Sequence, residues 1–194
     1  MSRLLSRSTL IGIGGRAGAG KDKVAQMITQ MVGYCSIEPF AKPLKDAVAS
    51  IFMLPPDACY DEKAKASLIP GFEDFGVTLR HAQQTIGTEW GRHCINGDLW
   101  LRIAQLKYAS WVADFDQHEE RFYIIPDVRF NNEAQWVRDN GVLIYVNRPG
   151  EGIAGSHESE AGYSVENHFV IQNDGTLEDL RAQVAGILGR TFRG

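Results

Sequence analysis

The stretch Thr9-Leu-Ile-Gly-Ile-Gly14-Gly15-Arg-Ala-Gly-Ala-Gly20-Lys21-Asp22-Lys23 decides the fold. Thr9 to Gly14 reads as a short buried strand, and Lys21 to Met31 carries Val24, Met27, Ile28 and Met31 at helical spacing. Between them, Gly15 to Lys21 has the G-x-x-x-x-G-K spacing of a phosphate-binding loop, with Asp22 where Ser or Thr is usual. A polyphosphate must come close to the backbone, so side chains are missing at Gly15, Gly18 and Gly20 and the N–H groups can turn inward. The helix that follows offers its partly positive N-terminus, and Lys21 adds a mobile charge for the β and γ phosphates. The bland alternative is a glycine-rich turn with no ligand; the position between a strand and a helix favours the phosphate reading. Asp22 can reach magnesium through water or interact with the helix dipole, and both readings stand.

Outward from this loop, strands and helices alternate. Tyr34 to Ile37 reads as a second strand, and Pro43 opens a helix with Leu44, Ala47, Val48 and Ile51 on one face. Leu54 to Val77 reads as loop, followed by helices over Leu79 to Ile86 and Leu99 to Val112, separated by Gly87, Gly91 and Gly97. Phe122 to Ile125 is a fully apolar strand ending at Pro126-Asp127. A helix from Asn132 stops at Asn140-Gly141, and Val142 to Val146 and Phe169 to Ile171 are further strands. Thr176 and Asp179 form a capping box that opens a helix to Leu188. This order predicts an α/β protein with a mostly parallel sheet.

The chain has 194 residues, 44% of them apolar and 23% charged, which predicts one folded domain spanning 1–194. Twenty Lys and Arg against 24 Asp and Glu give a net charge of −4, and no dense basic run argues for a nucleic-acid partner. Small phosphorylated ligands remain compatible, since they need only a local positive pocket. Cys35, Cys59 and Cys94 form no C-x-x-C pair, as expected of reduced thiols in a cytoplasm. No run approaches a membrane span in length, and Leu10 to Ile13 is too short for a signal-peptide core.

Asp127 stands at the carboxyl end of a strand, where α/β sheets place ligand-handling residues, and Arg129 can reach a phosphate from there. The alternative is an Asp that merely turns the chain. Arg80, Arg92 and Arg102 lie among Gln83, Gln84, Thr88, Trp90 and Trp100, which suits phosphate and base recognition but equally suits surface and core. Asp114 to Glu120 reads as a solvated acidic loop, and His81, His93, His118 and His168 show no ligand spacing.

Several ordered blocks resemble the phage-type deoxynucleoside monophosphate kinases, a family of P-loop phosphotransferases. Beyond the loop, they are Phe40-Ala-Lys-Pro-Leu-Lys45-Asp46 and Arg80-His-Ala-Gln-Gln-Thr-Ile-Gly87-Thr88-Glu89, then Trp100 and Ile125-Pro-Asp127-Val-Arg129. Glu133, Val146-Asn-Arg148-Pro-Gly150, His157-Glu-Ser-Glu160 and Asn173-Asp174-Gly175 complete them. The resemblance implies a P-loop kinase fold with a helical acceptor-binding region over 38–120 and a lid over 148–166. It implies transfer of the γ-phosphate of ATP, with Mg²⁺, to deoxynucleoside 5′-monophosphates in the cytoplasm, that of the host if the gene is phage-borne. A homodimer is among the assemblies it allows, and no membrane or nucleic acid is involved.

By the same resemblance Gly15, Gly18, Ala19, Gly20, Lys21, Asp22 and Lys23 hold the donor phosphates, and Asn173 and Gly175 lie near the donor base. Lys45, Arg80, Gly87, Thr88, Trp100, Asp127, Arg129, Glu133 and Glu160 contact the acceptor. Lys21, Asp127, Arg129 and Arg148 act in catalysis, with Asp22 and Asp127 toward the metal, directly or through water. Lys23 stands where family members commonly carry Thr, and Pro149 to Tyr163 holds no Arg or Lys, so the lid cation is Arg148 or lies elsewhere. The rival readings are a P-loop kinase of another phosphorylated acceptor, of phosphomevalonate or dephospho-coenzyme A type, and a nucleotide-binding switch or ATPase. No Asn-Lys-x-Asp or Leu-Ser-Gly-Gly-Gln motif supports the latter.

Overall fold

A computed structural model describes residues 8–114, 120–150, 157 and 161–192. The chain divides into two compact units, residues 40–103 and the remainder. The larger unit is built on five parallel strands in the order β2-β3-β1-β4-β5, with β1 Ser8–Gly14, β2 Tyr34–Ile37, β3 Arg121–Val128, β4 Val142–Asn147 and β5 Phe169–Gln172. Helix α1, Lys21–Met31, follows β1, and α7, Leu177–Phe192, closes the chain. Side chains alternate across a strand, so Ile11 and Ile13 of β1 meet Val24 and Ile28 of α1 and Leu180 and Val184 of α7 on one face. On the other face Gly12 lies under Val137 of α6, Asn131–Asn140; a Cβ on Gly12 would stand 2.5 Å from the Val137 side chain. Each such Ile or Val, fully buried, contributes about 1.5–3 kcal/mol.

The connection from β1 heads toward β2 and that from β3 toward β4, in opposite directions along the sheet. A crevice therefore opens beyond the carboxyl ends of β1 and β3, the place where α/β sheets bind ligands. β3 does not end at Pro126-Asp127 as the sequence predicts. It runs to Val128, and its register with β1 slips between the Gly12–Ile125 and Gly14–Val128 pairs. Pro126 has no N–H to give the ladder, and the irregularity absorbs it.

The smaller unit holds α2 Lys42–Ile51, α3 Glu62–Ala66, α4 Leu79–Gln84 and the start of α5, Leu99–Ala113. Three expectations change here. The buried face of α2 is Leu44, Val48 and Ala49, while Ile51 is exposed, because packing follows the i, i+4, i+5 ridge rather than i, i+3. Leu54 to Val77 is not all loop: α3 forms where the Asp61 carboxylate accepts the Ala64 N–H at 2.7 Å. Gly87 and Gly91 do not break the helix after α4, which continues as a π-helix over Thr85–Ile95. They are there for contact: a Cβ on Gly91 would come within 2.7 Å of the Trp100 ring, and the Trp100 indole N–H donates to the Gly87 carbonyl at 2.7 Å.

Candidate active site

The phosphate loop joins β1 to α1 within the larger unit. Its three glycines all take positive φ, +144° at Gly15, +76° at Gly18 and +96° at Gly20. At Gly15 two demands coincide, since a Cβ would also lie 2.5 Å from the Val146 carbonyl oxygen. No side chain caps α1 at Gly20, which leaves its first amides for a ligand. Asp22 sits in the first turn, exposed, as does Lys23.

Lys21 Nζ folds back on the loop and donates to the carbonyls of Gly15 at 2.9 Å and Arg16 at 2.8 Å. Burial pushes its pKa down, and Arg129 adds to that; Asp22 and Asp127 act the other way without cancelling it. Charges from α1, from the end of β3 and from the residue beyond it thus act on one ammonium group. A partly desolvated ammonium of this kind is favoured by an added negative charge, such as that of a polyphosphate.

Two further contacts brace the loop. Asn173, just past β5, donates from Nδ2 to the Ala19 carbonyl at 2.8 Å, and Gly20 has no side chain so that this amide can approach. Arg148, after β4, reaches the Gly18 carbonyl at 3.4 Å. Gly175 lies instead against Asp179, whose carboxylate completes the predicted capping box with Thr176 at 2.8 Å. Glu133 is 2% exposed, and its carboxylate accepts the backbone N–H of Arg129 at 2.9 Å and of Phe130 at 3.1 Å. Its visible work is therefore to close the start of α6 and to set the Arg129 backbone. Glu160 lies outside the described residues, as do 151–156, 158 and 159 of the expected lid.

Tyr163 escaped the sequence reading. Its phenol lies over Gly14, where a Cβ would be 2.2 Å from the hydroxyl, and donates to Asn167 at 2.7 Å. Burial, and secondarily Tyr145, push its pKa far above the ordinary phenol range, so it stays a neutral donor. Next to it, Ser164 gives both its N–H and its hydroxyl to Asn131 of α6, at 2.8 and 3.2 Å. The signal was weak: one Tyr in a Gly- and Ser-rich stretch has no periodicity.

Within the smaller unit, Thr88 is buried, Lys45 stacks its ammonium 3.9 Å from the Tyr60 ring centre, and Arg80 donates to Glu62 at 2.7 Å. Trp100 is 7% exposed with its N–H on Gly87, so what the structure shows of this pair is packing.

Magnesium prefers one or two carboxylates together with substrate phosphates and water. Asp22 and Asp127 are the two carboxylates whose charge acts on Lys21, a number compatible with that pattern, and among the described residues no group of three or more ligating side chains occurs.

A family model described as deoxynucleotide monophosphate kinase matches residues 58–184, more than half of the chain. A protein of Acanthamoeba polyphaga mimivirus, provisionally described as a deoxynucleotide monophosphate kinase, is 30% identical over 182 residues, which is 90% of this chain and 93% of the relative. The deoxynucleoside-5′-monophosphate kinase of Escherichia phage T5 is 24% identical, with 91% and 94% covered. The crystal structure of TT1252 from Thermus thermophilus shares the fold at a TM-score of 0.50 and 13% identity, covering 94% of this chain and 97% of that one. A phosphate loop at the switch point of a parallel sheet is common to many phosphotransferases; with the family match and the mimiviral relative beside it, the chain belongs to the deoxynucleotide monophosphate kinase family and is an enzyme, a phosphotransferase.

Proposed function

We propose that this kinase takes the γ-phosphate of ATP, as its magnesium complex, and passes it to the phosphate of a deoxynucleoside 5′-monophosphate. The observation that carries the reading is the glycine loop between β1 and α1, with Lys21 Nζ on the Gly15 and Arg16 carbonyls at 2.9 and 2.8 Å and the charges of Asp22, Asp127 and Arg129 acting on it. An acceptor phosphate oxygen is already ionised at neutral pH, so no strong base is required. That oxygen attacks the γ-phosphorus, the bond to the β-bridging oxygen breaks, and ADP leaves with the electron pair. Like charge is the obstacle, and cations placed in advance remove it. Lys21 exchanges its two loop carbonyls for phosphate oxygens. Arg129 takes a phosphate as well, with its backbone held by Glu133. Arg148, already at the loop, adds a further charge, and Asn173 keeps Ala19 and Gly20 in place. Asp22 and Asp127 would hold magnesium, directly or through water. Bound with the nucleotide, the ion offsets charge on the phosphate oxygens.

Lys45, Arg80, Gly87, Thr88 and Trp100 are assigned to the acceptor, with Arg80 as the bidentate partner of its phosphate. No helix among the described residues is long and apolar enough to cross a membrane; our reading puts the enzyme in the cytoplasm with its nucleotide substrates. The test is ATP with each common deoxy- and ribonucleoside monophosphate, following diphosphate formation. Deoxynucleoside diphosphates and ADP in equal amounts are expected. ATP turnover at one rate with and without every monophosphate would overturn the reading.

A further inference from the structure

In the smaller unit, three charged side chains meet at the surface. Glu62 of α3 accepts from Arg80 Nη2 on its Oε2 atom at 2.7 Å, while its Oε1 atom takes Lys65 Nζ. Lys65 lies one turn along α3, but Arg80 comes from a separate helix eighteen residues on, so the pairing is tertiary. The framework beneath is fixed. An antiparallel bridge joins Leu68 to Thr78, the Thr78 hydroxyl caps α4 by accepting from His81 at 3.2 Å, and Gln83 donates to the Cys59 carbonyl at 3.0 Å. Two cations on different helices are thus held at the spacing of two oxygens on one small anion.

Glu62 is 72% exposed and Arg80 42%, and such an ion pair contributes little to stability, while Lys65 is 13% exposed and held close under Glu62. A weak exposed pair is a poor staple but an easily displaced one. A phosphate monoester offers the same two-oxygen edge with up to twice the charge. We propose that Glu62 is a stand-in for the acceptor's phosphate: the deoxynucleoside monophosphate displaces it from Arg80 and Lys65, making Lys65 a second phosphate ligand and Glu62 a competitor that sets acceptor affinity. This rests on the assignment of Arg80 to the acceptor. Lys65 and Arg80 outweigh the upward push of burial and hold the Glu62 carboxyl below its ordinary pKa, so the competitor is charged at neutral pH.

The test is calorimetric titration of the full chain with the four common deoxynucleoside monophosphates, in wild type and in Glu62→Gln, Lys65→Met, Arg80→Ala and Asp74→Asn. Glu62→Gln should tighten acceptor binding about two- to fivefold, the range that exposed ion pairs span. Lys65→Met should weaken it about fivefold or more, with ATP affinity unchanged in both. Asp74→Asn, an exposed charge on the same unit, should leave it unchanged. If Arg80→Ala weakens the acceptor while Glu62→Gln and Lys65→Met leave it unchanged, the stand-in idea is overturned and the acceptor assignment survives. If Glu62→Gln weakens binding, Glu62 orients Arg80 and the idea falls. If Arg80→Ala has no effect, the acceptor assignment falls too.

Discussion

Replacing Gly15 by alanine tests the phosphate loop at the one position where conformation and contact are demanding at once. At φ +144° an L-residue is strained by about 1–3 kcal/mol. The new methyl would also stand 2.5 Å from the Val146 carbonyl oxygen, against 3.4 Å or more for ordinary contact. That oxygen is backbone of β4, paired in register with β5, and cannot swing aside like the end of a side chain. Relieving the overlap adds about 1–3 kcal/mol, as overpacking does. A total of about 2–6 kcal/mol corresponds to a fall in Tm of roughly 4–24 °C for a chain of this size. Gly33→Ala is the control, since no atom lies within 4 Å of its Cβ position, and it should stay within about 0.5 kcal/mol of wild type. Thermal unfolding with and without ATP reads the first effect and calorimetry the second: the shifted loop amides should cost at least tenfold in ATP affinity, about 1.4 kcal/mol. A Gly15→Ala protein that melts with Gly33→Ala and binds ATP within about twofold of wild type would refute the reasoning.

Lys21→Met should lower turnover by about 10²-fold or more in a folded protein, because the charge acts mainly in the transition state; near-normal kcat would remove Lys21 from the chemistry. Its depressed pKa also has a thermodynamic signature: between that lowered value and the unfolded 10.5, the unfolded chain binds more protons, so Lys21 makes stability rise with pH there, a contribution lost as pH falls through the folded pKa. Denaturant titrations across that window should show a shallower slope in Lys21→Met, and equal slopes would contradict the burial of this amine. Asp127→Asn should raise the Mg²⁺ concentration for half-maximal rate with acceptor KM little changed; a shift in acceptor KM alone would mean that Asp127 orients Arg129 instead. Asn173→Ala deletes the 2.8 Å brace on Ala19 and should weaken ATP by about three- to tenfold while leaving acceptor binding alone.

Local signals carried the sequence a long way. The run from Thr9 to Met31 specified strand, loop and helix because glycine spacing and a 3.6-residue apolar period are properties of neighbouring residues, and β1 and α1 lie where they predict. Thr176 and Asp179 announced α7 for the same reason. What neighbours could not convey was decided by partners far along the chain. Gly87 and Gly91 look like helix breakers until the Trp100 ring comes to lie on them, and the helix then widens rather than stops. Tyr163 looks like loop filler until β1 ends beneath its ring. Glu62 and Arg80 are unremarkable surface charges until a short bridge between Leu68 and Thr78 sets their helices side by side. The sequence by itself determined the strand, the glycine loop and the helix, and it marked Lys21 as the candidate phosphate ligand, because that motif is written in seven consecutive residues. That the charges of Asp127 and Arg129 act on that lysine was decided only when the sheet brought the end of β3 alongside the end of β1, since charges act through space and not along the chain.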